Sequence, residues 1–209
     1  MPDVMVQRII QNHPQLMGFK ALLHGACLLP ALWIFYLGAI DSLGADPVKA
    51  LIHFYGIGAV HCLLATLVVS LLSKKLRTPL LMRCRRLLGL YVAFYATLHI
   101  VCFLVFEWQL QWAEVIDEII RRPYITFGFI AWLILVALTL TSFKRAQRAM
   151  GARWSQLHSL VYLSLALILL HFYWSQKSPW NQAIAYAFAG AALLYLKRSN
   201  LLNWLKLFK

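Results

Sequence analysis

Six long apolar runs, separated by short polar connections, leave this chain one environment that suits it, the hydrocarbon of a bilayer. A helix needs roughly 20 mostly apolar residues to cross. The runs are Phe19–Ala39, Phe54–Leu72, Leu87–Phe106, Tyr124–Phe143, Leu157–Trp174 and Trp180–Leu196. Composition agrees: 62% of the 209 residues are hydrophobic and 13% are charged. A soluble domain is nearer half apolar and about a quarter charged. The first run is too long for the apolar region of a signal peptide, and no small-x-small cleavage site follows it. The expectation is an all-α membrane protein, a bundle of six transmembrane helices in the lipid bilayer.

The connections carry helix breakers and charge. Gly44 and Pro47 lie between the first two runs and Pro79 between the next two. Pro123 and Pro179 stand where the fourth and sixth helices begin. No internal repeat is visible. With the N-terminus inside, 16 of the 20 Lys and Arg fall on the inner side and six of the seven acids on the outer. Basic residues stay on the cytoplasmic side of a membrane. Both termini are therefore expected in the cytoplasm. The net charge of +13 is topological, and no nucleic-acid motif accompanies it.

The connection from Glu107 to Arg122 sets Trp108, Trp112, Ile116 and Ile120 among Glu114, Asp117 and Glu118. It reads as a short amphipathic helix on the outer surface, serving either as a connector or as a docking surface for a partner. Cys27, Cys62, Cys84 and Cys102 form no C-x-x-C pair, so they read as small buried apolar residues.

Ionisable groups inside spans are costly and mark function. Here they are histidines: His24, His61, His99, His158 and His171. His13 and His53 are expected at or outside the ends. Neutral imidazole is a good iron ligand. The third and fifth runs cross in the same direction. His99 is 12 residues beyond Leu87 and His171 is 14 beyond Leu157. At ~1.5 Å per residue, both lie about 18–21 Å from the inner edge. Two histidines at one depth on two helices can clamp a haem iron from both faces. The alternative for any such histidine is a helix–helix hydrogen bond.

His158 lies about 20 Å nearer the cytoplasm and about 140° around a straight helix from His171. It belongs to a second redox centre in the inner half, hydrogen-bonds locally, or contacts a quinone or flavin. His24, also near the inner side, is a candidate for the same role. Arg85 and Arg86 are candidates for holding haem propionates or a flavin phosphate. Ser-His-Asp and Cys-His catalysis have no support, because no acid is placed to orient a buried histidine. A six-helix transporter or channel with a histidine-lined polar path is the alternative reading.

Several motifs also carry a family resemblance. They are Arg85-Arg86-Leu87-Leu88-Gly89-Leu90, Ala96-Thr97-Leu98-His99, Gly44-Ala45-Asp46-Pro47-Val48 and Arg122-Pro123-Tyr124, together with Trp154-x-x-Leu157-His158-x-x-Val161-Tyr162 and His171 followed by Trp174. In this order they resemble the MsrQ (YedZ) family of haem-binding membrane subunits of bacterial protein-methionine-sulfoxide reductase systems. That family lies within the ferric-reductase-like transmembrane group. The resemblance implies a single domain over residues 1–209 in the bacterial inner membrane. It implies one haem b or two, with His99, His158 and His171 as iron ligands, and an associated FMN. Electrons would come from the quinol pool or a cytosolic flavin reductase. They would pass to MsrP, a periplasmic molybdopterin enzyme that performs the sulfoxide reduction itself. The oxidase relatives in that group carry two histidines on the third helix. Here there is one, and Arg85 and Arg86 stand where the second would be. Only 13 residues follow the sixth run, without a G-x-G-x-x-G fingerprint, so donor and acceptor sites are expected on other proteins.

Overall fold

A computed structural model describes residues 14–76, 79–175 and 181–198. Among them all regular structure is helical. The helices are α1 (Pro14–Ala39), α2 (Pro47–Leu76), α3 (Pro79–Cys102), α4 (Trp112–Arg121), α5 (Pro123–Leu140), α6 (Lys144–Met150), α7 (Ala152–Ser159), α8 (Val161–Ser175) and α9 (Asn181–Leu196). Prolines open α2, α3 and α5, where a missing N–H costs nothing. Asp46 caps α2, accepting the Lys49 amide at 3.0 Å. The hydrogen bonds from Lys49 hold its carboxyl below the usual carboxylate range.

Five helical stretches are long and apolar enough to cross a membrane: Met17–Ala39, Pro47–Ser73, Leu81–Glu107, Pro123–Leu140 and Ala152–Ser175. The chain is a multi-pass membrane protein. The sixth expected crossing appears as a shorter apolar helix, Gln182–Leu196. Trp180, Lys177 and the Ser178-Pro179 connection before it lie outside the described residues, as do His13 and the tail after Arg198. Several predicted boundaries move. The second and third crossings begin at Pro47 and Leu81 rather than at Phe54 and Leu87, because polar flanks continue the helices beyond their apolar runs. The fourth ends at Leu140, short of Phe143. The fifth starts earlier than Leu157 and is broken at Leu160 into α7 and α8.

The α2–α3 and α5–α8 pairs form the centre, and α9 lies against α8 and α2. Its approach to α8 is close at Gly190, where an added Cβ would sit 2.4 Å from Leu169 Cδ1. The helix α1 docks through two small buried residues, Cys27 and Ala31. Small residues let helix backbones approach. Their carbonyls accept the hydroxyls of Tyr95 at 2.7 Å and Tyr55 at 3.0 Å. Large apolar side chains such as Leu29, Trp33, Leu133 and Phe188 cover the outside, a surface suited to lipid rather than water. All four cysteines are free and buried, including Cys84, which stands among Arg83, Arg85 and Arg86 in sequence.

The α3 helix ends in a π-helical turn, Phe103–Glu107, which starts four residues after His99. The predicted amphipathic helix is α4. Val115 is buried on its inner edge, whereas Trp112, Ile116 and Ile120 stay exposed one turn apart. Thr126 at the start of α5 donates to the Ile119 carbonyl and fixes the two helices together.

Candidate functional site

The two histidines predicted from depth meet. The rings of His99 on α3 and His171 on α8 have centroids 6.0 Å apart and planes at 87°. Each Nδ1 faces a main-chain carbonyl: Ile52 O at 2.8 Å for His99 and Tyr124 O at 2.7 Å for His171. A carbonyl only accepts, so both Nδ1 atoms must carry the proton. Both Nε2 atoms are then left with a lone pair, the form in which imidazole binds a metal. A metal–imidazole bond is about 2 Å, so two imidazoles on opposite sides of one ion place their centroids about 6 Å apart. That is the separation found here.

Among the described residues, no cluster of three or more His, Cys, Asp or Glu could hold a bare metal ion. The pair offers two axial donors and nothing equatorial. This suits a metal whose other positions are filled by a macrocycle, and so the residues fit a haem. With both axial positions taken by protein, such an iron would have no open site.

Toward the other end of the bundle lies a cavity of about 860 Å³. Arg85, Arg86 and Lys197 line it, as does His158, and its described lining contains no acid. Arg85 and Arg86, picked out in sequence as anion contacts, therefore share one chamber with His158. Its charge suits an anionic ligand. Lys197 is almost fully buried and donates to Ser70 Oγ at 2.7 Å.

His158 does not join His99 and His171. It lies on α7, before the break at Leu160, with its ring stacked on Trp154 at 4.0 Å. Its Nε2 is 3.0 Å from Thr141 Oγ1. That hydroxyl already donates to Ala137 O at 2.7 Å, so it accepts from Nε2–H. Trp154 Nε1 donates to Thr141 O at 2.9 Å and completes the knot. The proton thus sits on opposite ring nitrogens in His158 and in the His99–His171 pair.

The other histidines bridge helices. His24 Nδ1 contacts the Tyr91 hydroxyl at 2.5 Å, between α1 and α3. His61 Nε2 contacts the Tyr186 hydroxyl at 2.6 Å, between α2 and α9. His53, expected near an end, lies within α2. The carbonyls of Ile52 and Tyr124 were not foreseen, because a main-chain acceptor has no side-chain signature.

Residues 55–169 match the model of the ferric reductase like transmembrane component. The chain is 42% identical over 191 residues to the protein-methionine-sulfoxide reductase heme-binding subunit MsrQ of Cronobacter sakazakii. That stretch covers 91% of this chain and 96% of the relative. The MsrQ subunits of Salmonella paratyphi B and Salmonella newport are 44% identical over the same shares. The chain belongs to the MsrQ family. No solved structure matches it. The family match runs from Tyr55, in the first third of α2, to the middle of α8; it includes His99 and stops two residues short of His171.

Proposed function

We propose that this protein is a haem b electron-transfer subunit of a methionine sulfoxide reductase system in the bacterial inner membrane. The observation that carries the reading is the His99–His171 pair, with both Nδ1 atoms tied to carbonyls and centroids at haem-ligand separation. The relatives' name, heme-binding subunit, supports the same group. Haem b bound there supplies a one-electron carrier. The protein's part is to hold two neutral imidazoles in fixed orientation, to leave no position for an outside ligand and to surround the centre with apolar side chains.

In this reading α9 is the sixth crossing. Both termini face the cytoplasm, and His99 and His171 lie in the outer half of the membrane. The cavity around His158 lies in the inner half, where Arg85 and Arg86 hold the propionates of a second haem or the phosphate of FMN. His24 stands near the same side. Electrons enter there from quinol or a cytosolic flavin reductase. They leave outward to the periplasmic molybdopterin subunit MsrP, which reduces the sulfoxide during repair of oxidised proteins.

The test is electron flow across a sealed membrane. Purified protein is placed in vesicles that entrap ferricyanide, and a reductant is added outside. The reading expects protein-dependent loss of ferricyanide, abolished by His171→Ala. Equal rates with and without the histidine would remove the conduit.

A further inference from the structure

The two histidines are held by the same arrangement used twice. Ile52 accepts from His99, and Tyr124 accepts from His171; both pairs are 47 residues apart in sequence. Four residues after each accepting residue is a glycine, Gly56 on α2 and Gly128 on α5. In a helix the carbonyl of one residue is covered from the side by the residue four further on. A glycine there leaves the carbonyl's second lone pair open to an incoming side chain.

The fit is tight at both places. A Cβ on Gly56 would lie 3.0 Å from His99 Nδ1, and one on Gly128 would lie 2.7 Å from His171 Nδ1. In each case the nearest atom is the nitrogen that makes the hydrogen bond. Other close glycines differ. A Cβ on Gly58 or on Gly190 would meet only carbon atoms, of Tyr95 and Leu169 respectively. Around Gly89 there is open space.

We infer that Gly56 and Gly128 are positioning residues for the two axial imidazoles, opening one helix carbonyl to each Nδ1 and so fixing its tautomer and ring plane. The inference rests on the haem reading above and deepens it. Both ligands receive the same hydrogen bond, which raises imidazole basicity and favours ferric iron. Losing either bond leaves a weaker ligand and a more positive reduction potential.

The experiment compares Gly56→Ala, Gly128→Ala, Gly58→Ala, Gly190→Ala and Gly18→Ala in the purified full chain. Haem content, the low-spin EPR signal and the reduction potential are read for each. Gly128→Ala, the tighter clash, should weaken haem retention roughly 10–100-fold, the usual loss for an outer-shell partner. Gly56→Ala should keep haem with an altered EPR signal and a raised potential. It carries the test if Gly128→Ala is not recovered, because its clash is only a few tenths of an ångström. Gly58→Ala and Gly190→Ala should lower thermal stability without moving EPR or potential, and Gly18→Ala, at an exposed position of α1 with open space around it, should change nothing. Haem-bearing Gly56→Ala and Gly128→Ala proteins with wild-type EPR and potential would overturn the inference. So would Gly190→Ala shifting both readouts as far. A wild-type protein that carries no haem overturns the proposed function, and this inference with it.

Discussion

Replacing His61 and replacing His171 should have different kinds of effect, although both are histidines within apolar helices. His61 bonds Tyr186 at 2.6 Å and ties α2 to α9. Interhelical bonds of this kind average about 0.6 kcal/mol and reach about 1.7. For a chain of this size, each kcal/mol shifts the unfolding midpoint by roughly 2–4 °C. His61→Ala should therefore lower the midpoint by about 1–7 °C and leave the haem spectrum as it was. His171→Ala removes an interhelical hydrogen bond, to the Tyr124 carbonyl, and also, under the proposed function, an iron ligand. A protein saturated to 100 times its Kd gains about 2.7 kcal/mol from the ligand. Losing haem should then lower the midpoint by a further 5–11 °C or about that. The assay is a thermal melt run with a visible spectrum on each variant. The magnitudes overlap at their edges, so the spectrum decides. A His171→Ala protein with its full low-spin spectrum would refute the separation of ligand from tie. So would a His61→Ala protein that has lost it.

The near-perpendicular rings of His99 and His171 predict the highly anisotropic low-spin EPR signal of crossed axial imidazoles; a signal typical of parallel rings would contradict the 87° geometry. Neutralising Arg85 and Arg86 together, as Arg85→Gln with Arg86→Gln, should strip the anionic group that the proposed function assigns to the inner cavity while the His99–His171 signal stays; loss of both together would mean one shared site. Cysteines placed by Glu114→Cys on α4 and Arg148→Cys on α6 should react with an impermeant thiol reagent from the periplasmic and cytoplasmic sides respectively, and labelling of both from one side would reverse the topology.

Several elements could be read directly from the sequence. Five of the six expected crossings were legible because an apolar run of that length suits a bilayer, and Pro123 marked the start of α5 to the residue. Depth alone brought His99 and His171 together, since rise per residue is nearly constant along a helix. What depth could not supply was the place of His158. His158 lies on α7, across the interruption at Leu160, and no proline or glycine at that point announces it. Helix ends were misjudged wherever polar residues extend a helix past its apolar stretch, as at Pro47 and Leu81. The repeated carbonyl–glycine–histidine arrangement escaped notice because its two copies share few side chains. Ile52 corresponds to Tyr124, and only the glycine and the histidine coincide. Glycines are common in membrane helices, so Gly56 and Gly128 acquire meaning only once the imidazoles are in view.

The most direct test of the central claim is the visible spectrum of the detergent-purified wild-type protein from haem-replete cells. The account predicts a Soret band that shifts on dithionite reduction and sharp low-spin α and β bands, unchanged by carbon monoxide because both axial positions are filled. A colourless protein, or a haem that binds carbon monoxide at once, would contradict it.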